Sequence, residues 1–154
     1  MLKFKNFISE DVTYHKPDHK RLADEEHDET KHQSDALKQD KEFRQDTHPK
    51  IQKALHHFAK NKDAFHKAMH GSSIEKVKKG TKVGNTEMGM SMKHVEDKDK
   101  VKRVQGMIKN KKPIDRPIIL RHKDKDGNHH HHLLAGNTRA TAVGHGVEAH
   151  HIDV

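Results

Sequence analysis

The stretch that decides the fold reads Leu133-Leu134-Ala135-Gly136-Asn137-Thr138-Arg139-Ala140-Thr141-Ala142. Its apolar first three residues are typical of the end of a buried strand, and its last residues favour a helix. Gly136 permits a sharp turn between them, because glycine tolerates positive φ and lets the backbone approach a ligand closely. The first N–H groups of the helix then point outward without partners, which favours an anion. The stretch therefore predicts an anion-binding turn from Gly136 to Arg139.

Each side chain of this turn has a predicted role and an alternative one. Arg139 offers a planar fork of N–H donors that matches phosphate oxygens, but it could instead pair with a carboxylate. The Thr138 hydroxyl could bind phosphate or cap the helix, and Asn137 could simply cap it. Ala142 is small and lets the helix lie close to the strand. We favour phosphate as the ligand of this turn.

The segments on both sides of the turn carry helix and strand signals in a definite order. Apolar residues recur at helical spacing from Val101 to Ile108, which predicts a helix. Asp126-Gly127 predicts a hairpin turn, because this pair tolerates positive φ. The predicted elements, in order, are a helix (97–110), a strand (114–120), a hairpin turn (125–128), a strand (129–135), the glycine turn, a helix (138 to 144 or 146) and a strand (147–154).

Three further segments fit this order: Pro117-Ile118-Ile119-Leu120, Asp126-Gly127 and Gly146-Val147. With them, the chain resembles the ParB/sulfiredoxin superfamily, whose members show a proline before an apolar strand, a hairpin and a G-x-x-R-x-x-A turn into a helix. Gly136, Arg139 and Ala142 match that last spacing. The Gly-Asn-Thr-Arg form is similar to ParB-like proteins carried by tailed bacteriophages. The resemblance implies a small α/β module of the ParB/sulfiredoxin type.

The resemblance also implies a nucleotide-phosphate site, with the four residues of the turn as its ligand-binding residues. The implied ligand is a nucleoside triphosphate, ATP or CTP, bound with or without Mg. Sulfiredoxin chemistry is excluded, because it needs a reactive cysteine and this chain has none. Other relatives act as ATP-dependent kinases of small molecules and need a carboxylate base. Asp115 and Glu96 are the candidate catalytic residues for that role, on spacing alone.

The N-terminal part of the chain divides into two predicted segments. Residues 1–35 are predicted to be poorly ordered, since Asp24-Glu25-Glu26-His27-Asp28-Glu29 is a solvated acidic block. Residues 36–80 are predicted to form short amphipathic helices that pack on the C-terminal module or on a second protein. The module itself is expected over residues 81–154, with its best-defined part from residue 93. The predicted fold class is α+β, with short helices ahead of the sheet.

Composition and charge limit the class of protein. Hydrophobic residues make up 30% of the chain and no apolar run is long enough to span a bilayer, so we expect a cytoplasmic protein. The absence of cysteine excludes disulfides and thiolate metal sites. The net charge of +8 is concentrated in residues 76–123, where 15 Lys and Arg stand against 5 Asp and Glu. Such a stretch attracts polyanions and predicts a nucleic acid partner, while the helices over residues 34–79 predict a protein partner.

Histidine is common in this chain, with 18 residues. The run from His129 to His132 lies inside the predicted hairpin, where alternate side chains point to opposite faces. Two imidazoles on one face could bind zinc or nickel weakly, and the spacing of His66 and His70 on a helix is compatible with metal binding. A structural metal site normally has four ligands, so no metal is predicted. We expect the net positive charge to rise markedly between pH 7 and about pH 5.5 as histidines protonate.

Three functions are consistent with these patterns. The leading hypothesis is a ParB-like module, encoded by a bacteriophage, that binds a nucleotide or phosphate and associates with DNA or another nucleic acid. The second is an enzyme, a nucleotide-dependent phosphotransferase or phosphohydrolase, which turnover of ATP or CTP would reveal. The third is a structural or interaction protein whose inherited turn has lost its ligand.

Overall fold

The computed structural model describes residues 12–83, 86–87, 98–144 and 146–154. Within these ranges the helices are α1 (His19–Gln39), α2 (Lys41–Asp46), α3 (Pro49–Lys60), α4 (Lys62–His70), α5 (Lys98–Lys109) and α6 (Asn137–Val143). The strands are β1 (Ser73–Lys76), β2 (Lys82–Val83), β3 (Thr86–Glu87), β4 (Ile118–Lys123), β5 (His129–Ala135) and β6 (Glu148–Asp153).

The strands form one mixed sheet in the order β1-β6-β4-β5-β2-β3. Strands β4 and β5 are an antiparallel hairpin, and β4 also pairs with β6 in parallel. Helix α6 connects β5 to β6, so the chain leaves the sheet at Gly136 and re-enters it on the far side of β4. The predicted turn therefore lies at the end of a central strand.

Central strand β4 carries apolar side chains towards both faces of the sheet. Ile119 joins one core, which α5 covers with Val101 and Ile108 and to which α6 also contributes. The flanking residues Ile118 and Leu120 join a second core, which α1, α3 and α4 cover. A strand that is apolar on both faces is typical of a sheet covered on both sides.

Helix α1 corrects the prediction of poor order for residues 19–35, while residues 1–11 lie outside the described residues. Its buried side chains fall on one face, because they recur at intervals of four and three: Ala23, His27, Thr30, Ser34 and Leu37. The polar members of this face find partners inside the fold. The ring N–H of His27 donates to the Phe58 carbonyl oxygen (3.0 Å), and Ser34 Oγ lies 2.6 Å from His56 Nδ1. A search for apolar periodicity does not register such a face.

Helices α2, α3 and α4 occupy residues 41–70, inside the segment predicted to be helical. The buried apolar side chains of α3 and α4 pack in the same core as α1 and the sheet: Ile51, Leu55, Phe58, Phe65 and Met69. The end of that segment differs from the prediction, since Ser73–Lys76 forms strand β1. The strand arises because this stretch pairs antiparallel with β6, with Ile74 opposite His150. Among the described residues, Ile74 is the large apolar side chain that remains exposed, at 40%.

The predicted α+β class is confirmed, and α5, β4, β5, α6 and β6 follow one another in the predicted order. Strand β4 begins at Ile118 rather than at residue 114, because Ile114 instead forms an isolated parallel bridge with Tyr14. The hairpin turn is as predicted, and the Asp124 carboxylate accepts the N–H groups of Asp126 and Asn128 at 2.9 Å each.

Candidate functional site

The turn between β5 and α6 depends on Gly136. Its φ of 95° and ψ of 28° are left-handed, a conformation that costs other residues free energy. A side chain would also have no room, because a Cβ atom here would lie 2.8 Å from the Pro117 Cα atom and 2.9 Å from its Cβ atom. The close approach brings the start of α6 directly against the residue that precedes β4.

The start of α6 has no side-chain cap, since the N-cap position is Gly136 itself. Asn137 is the first helical residue and is exposed, so it does not occupy the capping position that one alternative assigned to it. The first hydrogen bond of the helix runs from the Ala140 N–H to the Gly136 carbonyl oxygen, at 2.8 Å. The N–H groups that precede Ala140 are the ones that the geometry of a helix leaves for an external acceptor.

Arg139 lies in this first turn and is partly buried. Its Nε atom is buried and has no hydrogen-bond partner. The charge of Arg139 acts to lower the pKa values of nearby Glu26 and Asp115, but neither carboxylate forms a hydrogen bond with it, and burial still raises the pKa of Glu26. Among the described residues, no carboxylate is hydrogen-bonded to the Arg139 guanidinium. The predicted alternative, an Arg139–carboxylate pair, is therefore not observed there.

Candidate base Asp115 lies close to the turn but is held by another residue. Arg21 of α1 donates to both of its carboxylate oxygens, at 2.7 and 3.3 Å. Partial burial acts to raise the pKa of Asp115, but the hydrogen bonds and charge of Arg21 hold that pKa below its ordinary value. A carboxylate paired in this way is a weak proton acceptor at neutral pH. The other candidate, Glu96, lies outside the described residues.

Two clefts meet at Thr138 and Arg139. The α1-side cleft has a volume of about 320 Å³ and runs along β5, and Glu26, Glu29 and Gln33 of α1 line its other wall. The α5-side cleft has a volume of about 350 Å³ and lies between the turn and α5. Its lining combines cationic and apolar side chains with one carboxylate: His15, Lys100, Arg103, Val104, Met107, Pro113, Ile114 and Asp115.

The two clefts differ in the sign of their charge. Burial raises the pKa of Glu26 in the α1-side cleft above its ordinary value, although the charge of Arg139 acts against the shift. The α5-side cleft instead gathers Lys100 and Arg103 next to Arg139, and its carboxylate is neutralised by Arg21. An anion would therefore enter the site on the α5 side.

Sequence reasoning missed the contribution of α1 to the site. Arg21, Glu26 and Glu29 fall in or beside the stretch that was interpreted as a solvated acidic block. The signal was the interval of three and four residues between Ala23 and Leu37, which indicates one buried face of a helix. That signal is visible only if buried Thr, Ser and His are allowed in the pattern.

The histidines are dispersed over several small contacts. Among the described residues, no group of three or more His, Asp or Glu side chains is arranged to hold a metal ion. His66 Nε2 lies 2.8 Å from an Asp24 carboxylate oxygen, and His70 Nδ1 lies 2.9 Å from the His66 carbonyl oxygen. These two rings therefore have separate partners.

Several histidines resist protonation in the folded chain. Burial is the main cause that lowers the pKa of His131, His132 and His150 to about 4 each. Those three rings stay neutral at about pH 5.5, so they do not contribute to the rise in positive charge that the sequence predicts. The rise in the folded protein is smaller than the count of histidines indicates.

Comparison with known proteins identifies no family for the chain. No family model matches it, and no curated protein and no solved structure matches it either. Within the described part of the chain, no helix is both long and apolar enough to cross a membrane.

Proposed function

We propose that this chain is a phosphate-binding module that takes a nucleoside triphosphate at the turn from Gly136 to Arg139. The observation that carries the proposal is the buried Nε of Arg139, which has no hydrogen-bond partner at the start of a helix without a side-chain cap. A buried donor without a partner costs about 1 to 3 kcal/mol. A phosphate oxygen bound at the turn would accept from the first N–H groups of α6 and, once the Arg139 side chain turns towards the cleft, from its guanidinium.

The α5-side cleft supports a polyphosphate rather than a single phosphate. Lys100 and Arg103 extend the positive charge of Arg139 along the cleft, and Val104 and Met107 supply an apolar wall. Its volume of about 350 Å³ is within the usual range of small-molecule sites. The resemblance to ParB-like phage proteins points to the same class of ligand, ATP or CTP. Any Mg would arrive with the phosphates, because the carboxylate that lines this cleft, Asp115, is paired with Arg21.

The geometry gives less support to a phosphotransferase or phosphohydrolase. Such an enzyme needs a base near the transferred phosphate, and Asp115 would first have to leave Arg21. Divalent-metal-dependent turnover of ATP or CTP by the wild-type chain would establish the enzyme in place of the binding module.

Arg139→Ala is expected to abolish stabilisation by triphosphates. A ligand that binds only the folded state stabilises it by about 2.7 kcal/mol at a concentration 100 times its Kd. Thermal unfolding of the wild type should therefore shift upwards with ATP, CTP or inorganic triphosphate, with and without Mg, and the Arg139→Ala shift should be near zero. Arg139→Lys is the matched control, because it keeps the charge and loses the fork of donors. It should retain only part of the shift.

No thermal shift of the wild type with any triphosphate would overturn the proposal. The interaction protein with an empty inherited turn would then be favoured. Its partner would have to contact a mainly polar surface on residues 34–79, because the large apolar side chains of α3 and α4 are buried in the chain's own core and Ile74 is the large apolar side chain exposed among the described residues. Equal shifts for wild type and Arg139→Ala would place the ligand elsewhere on the chain.

Association with nucleic acid is a second candidate function, favoured by the surface of α5. The exposed residues of α5 and the three that follow it include seven cations and one carboxylate: Lys98, Lys100, Lys102, Arg103, Lys109, Lys111, Lys112 and Asp99. Lys98, Lys102 and Lys109 fall on one side of the helix, because they are spaced by four and seven residues. A row of cations on a helix is suited to the phosphate backbone of a nucleic acid, without regard to its sequence.

Replacement of Lys98, Lys102 and Lys109 by Gln is expected to weaken binding to mixed-sequence DNA and to lower its salt dependence. Each phosphate contact that is lost reduces the slope of log K against log salt by about 1. A control with Lys53, Lys60 and Lys67 replaced by Gln removes the same charge from exposed positions of α3 and α4. Equal losses of DNA affinity in the two triple variants would show that net charge alone causes the effect. Helix α5 would then be excluded as the DNA-binding surface.

A further inference from the structure

Three imidazole rings meet where α3 begins and the β4–β5 hairpin passes beneath it. The ring centre of His48 lies 4.7 Å from that of His122 on β4 and 4.4 Å from that of His130 on β5. The planes are tilted by 36° and 43°, an arrangement between parallel stacking and edge-to-face contact. We refer to His48, His122 and His130 as the imidazole stack.

Each ring of the stack also has a hydrogen-bond partner, which determines which ring nitrogen carries the proton. His48 is the N-cap of α3, and its Nδ1 atom accepts the Lys50 N–H at 3.1 Å. His122 Nδ1–H donates to the Val154 carbonyl oxygen at 2.7 Å. His130 lies 2.9 Å from the Asp124 carboxylate, which accepts its Nε2–H. His48 can therefore accept the hydrogen bond from the Lys50 N–H only while its Nδ1 atom carries no proton.

The charged groups around His48 come from every neighbouring element. Asp124 of the hairpin turn acts to raise its pKa, and Lys50 of α3 acts to lower it. Asp46 of α2, Lys82 of β2 and His129 of β5 line the same cavity, which has a volume of about 140 Å³. Burial and the nearby His130 and His122 outweigh Asp124 and hold the pKa of His48 below its ordinary value.

Protonation of His48 would oppose the closed arrangement in three ways. A proton on Nδ1 removes the acceptor of the Lys50 N–H and with it the helix cap. A positive charge would stand at the N-terminus of α3, where the helix dipole is also positive. The same charge would lie against the rings of His122 and His130, whose centres are 4.7 and 4.4 Å away.

We propose that the imidazole stack is an acid-sensitive clasp, which holds the start of α3 on the β4–β5 hairpin while His48 is neutral and releases it when His48 is protonated. The unfolded or released ring accepts a proton more readily than the clasped one, so the clasp weakens as pH falls below about 6.5. Release would open the cavity behind the stack, which His132 also lines. The clasp does not depend on any ligand at Gly136–Arg139.

Amide hydrogen exchange between pH 7 and about pH 5 tests the clasp. Exchange rates are corrected for the intrinsic effect of pH, and the amides of α4 and β6 report on global opening. We expect amides at residues 50–52 and 122–130 to lose protection by at least about tenfold more than those reference amides.

The variant that isolates the clasp is His48→Asn. Asparagine is a strong N-cap, so the helix start is kept while the titrating ring is removed. His48→Asn should hold the local protection nearly constant over this pH range, whereas His57→Asn, which removes an exposed ring from the same helix, should behave as the wild type. Unchanged local protection in the wild type, or an equal loss in His48→Asn, would overturn the proposal.

Discussion

Gly136→Ala is expected to destabilise the folded chain by about 3 kcal/mol, the sum of a strained left-handed backbone and an overpacked contact. The new methyl group would lie 2.8 Å from the Pro117 Cα atom and 2.9 Å from its Cβ atom. Both atoms belong to the Pro117 ring, which the start of β4 holds in place. Neither atom can therefore move away without a cost in free energy. Urea unfolding at pH 7 measures the difference directly.

Gly106→Ala is the matched control for this substitution and should have the opposite sign. Gly106 lies within α5, and a Cβ atom there would meet nothing within 4 Å. Alanine in place of glycine inside a helix is expected to stabilise by up to about 1 kcal/mol. A Gly136→Ala variant as stable as the wild type would show that the turn can relax without Gly136. The close approach to Pro117 would then not be what holds the turn in place.

Features that depend on neighbouring residues in the chain were predictable from the sequence. The hairpin follows from Asp126-Gly127 and the turn from Gly136, because each needs a positive φ that glycine permits. The alternation of Ile118, Ile119 and Leu120 between two cores follows from their apolar character on both faces. In these places the residue type alone dictates the local backbone.

Features that join distant parts of the chain were not predictable. The hydrogen bond between Arg21 and Asp115 joins residues 94 positions apart, and the sequence around neither residue indicates that they pair. Strand β1 exists because β6 offers an edge to pair with, although Ser73–Lys76 alone could continue a helix. Helix α1 was missed because its inner face buries Thr30 and Ser34, whose hydroxyls bond within the fold. Long-range partners, and buried polar groups that are hydrogen-bonded within the fold, can be identified only from the tertiary structure.

His132 is expected to make the fold sensitive to acid. Its side chain is only 8% exposed, and its ring packs edge-on against Phe43. Gln33 donates its amide N–H to the Leu134 carbonyl oxygen, so its amide oxygen is the acceptor that faces His132 Nε2 at 2.5 Å. His132 therefore carries its proton on Nε2, and a second proton would place a positive charge on a ring that is largely removed from water.

The sign and size of the effect follow from the pKa of His132, which burial lowers to about 4. The unfolded chain binds this proton from about pH 6.5 downwards and the folded chain only near pH 4. Stability is therefore full above the unfolded pKa, falls as pH drops through it, and reaches its lower limit below about pH 4. At pH 5 the contribution lost is about 2 kcal/mol. His131 and His150 act in the same direction.

Urea unfolding of the wild type and His132→Gln at pH 7 and pH 5 measures this contribution. Glutamine can still donate to the Gln33 oxygen but does not titrate, so the free energy of unfolding should fall less between the two pH values, by about 2 kcal/mol, than in the wild type. His32→Gln, which replaces an exposed ring on α1, should leave the wild-type difference unchanged. An equal fall in His132→Gln and wild type would mean that His132 takes up its proton without opening the core. The loss of stability in acid would then belong to the other buried histidines.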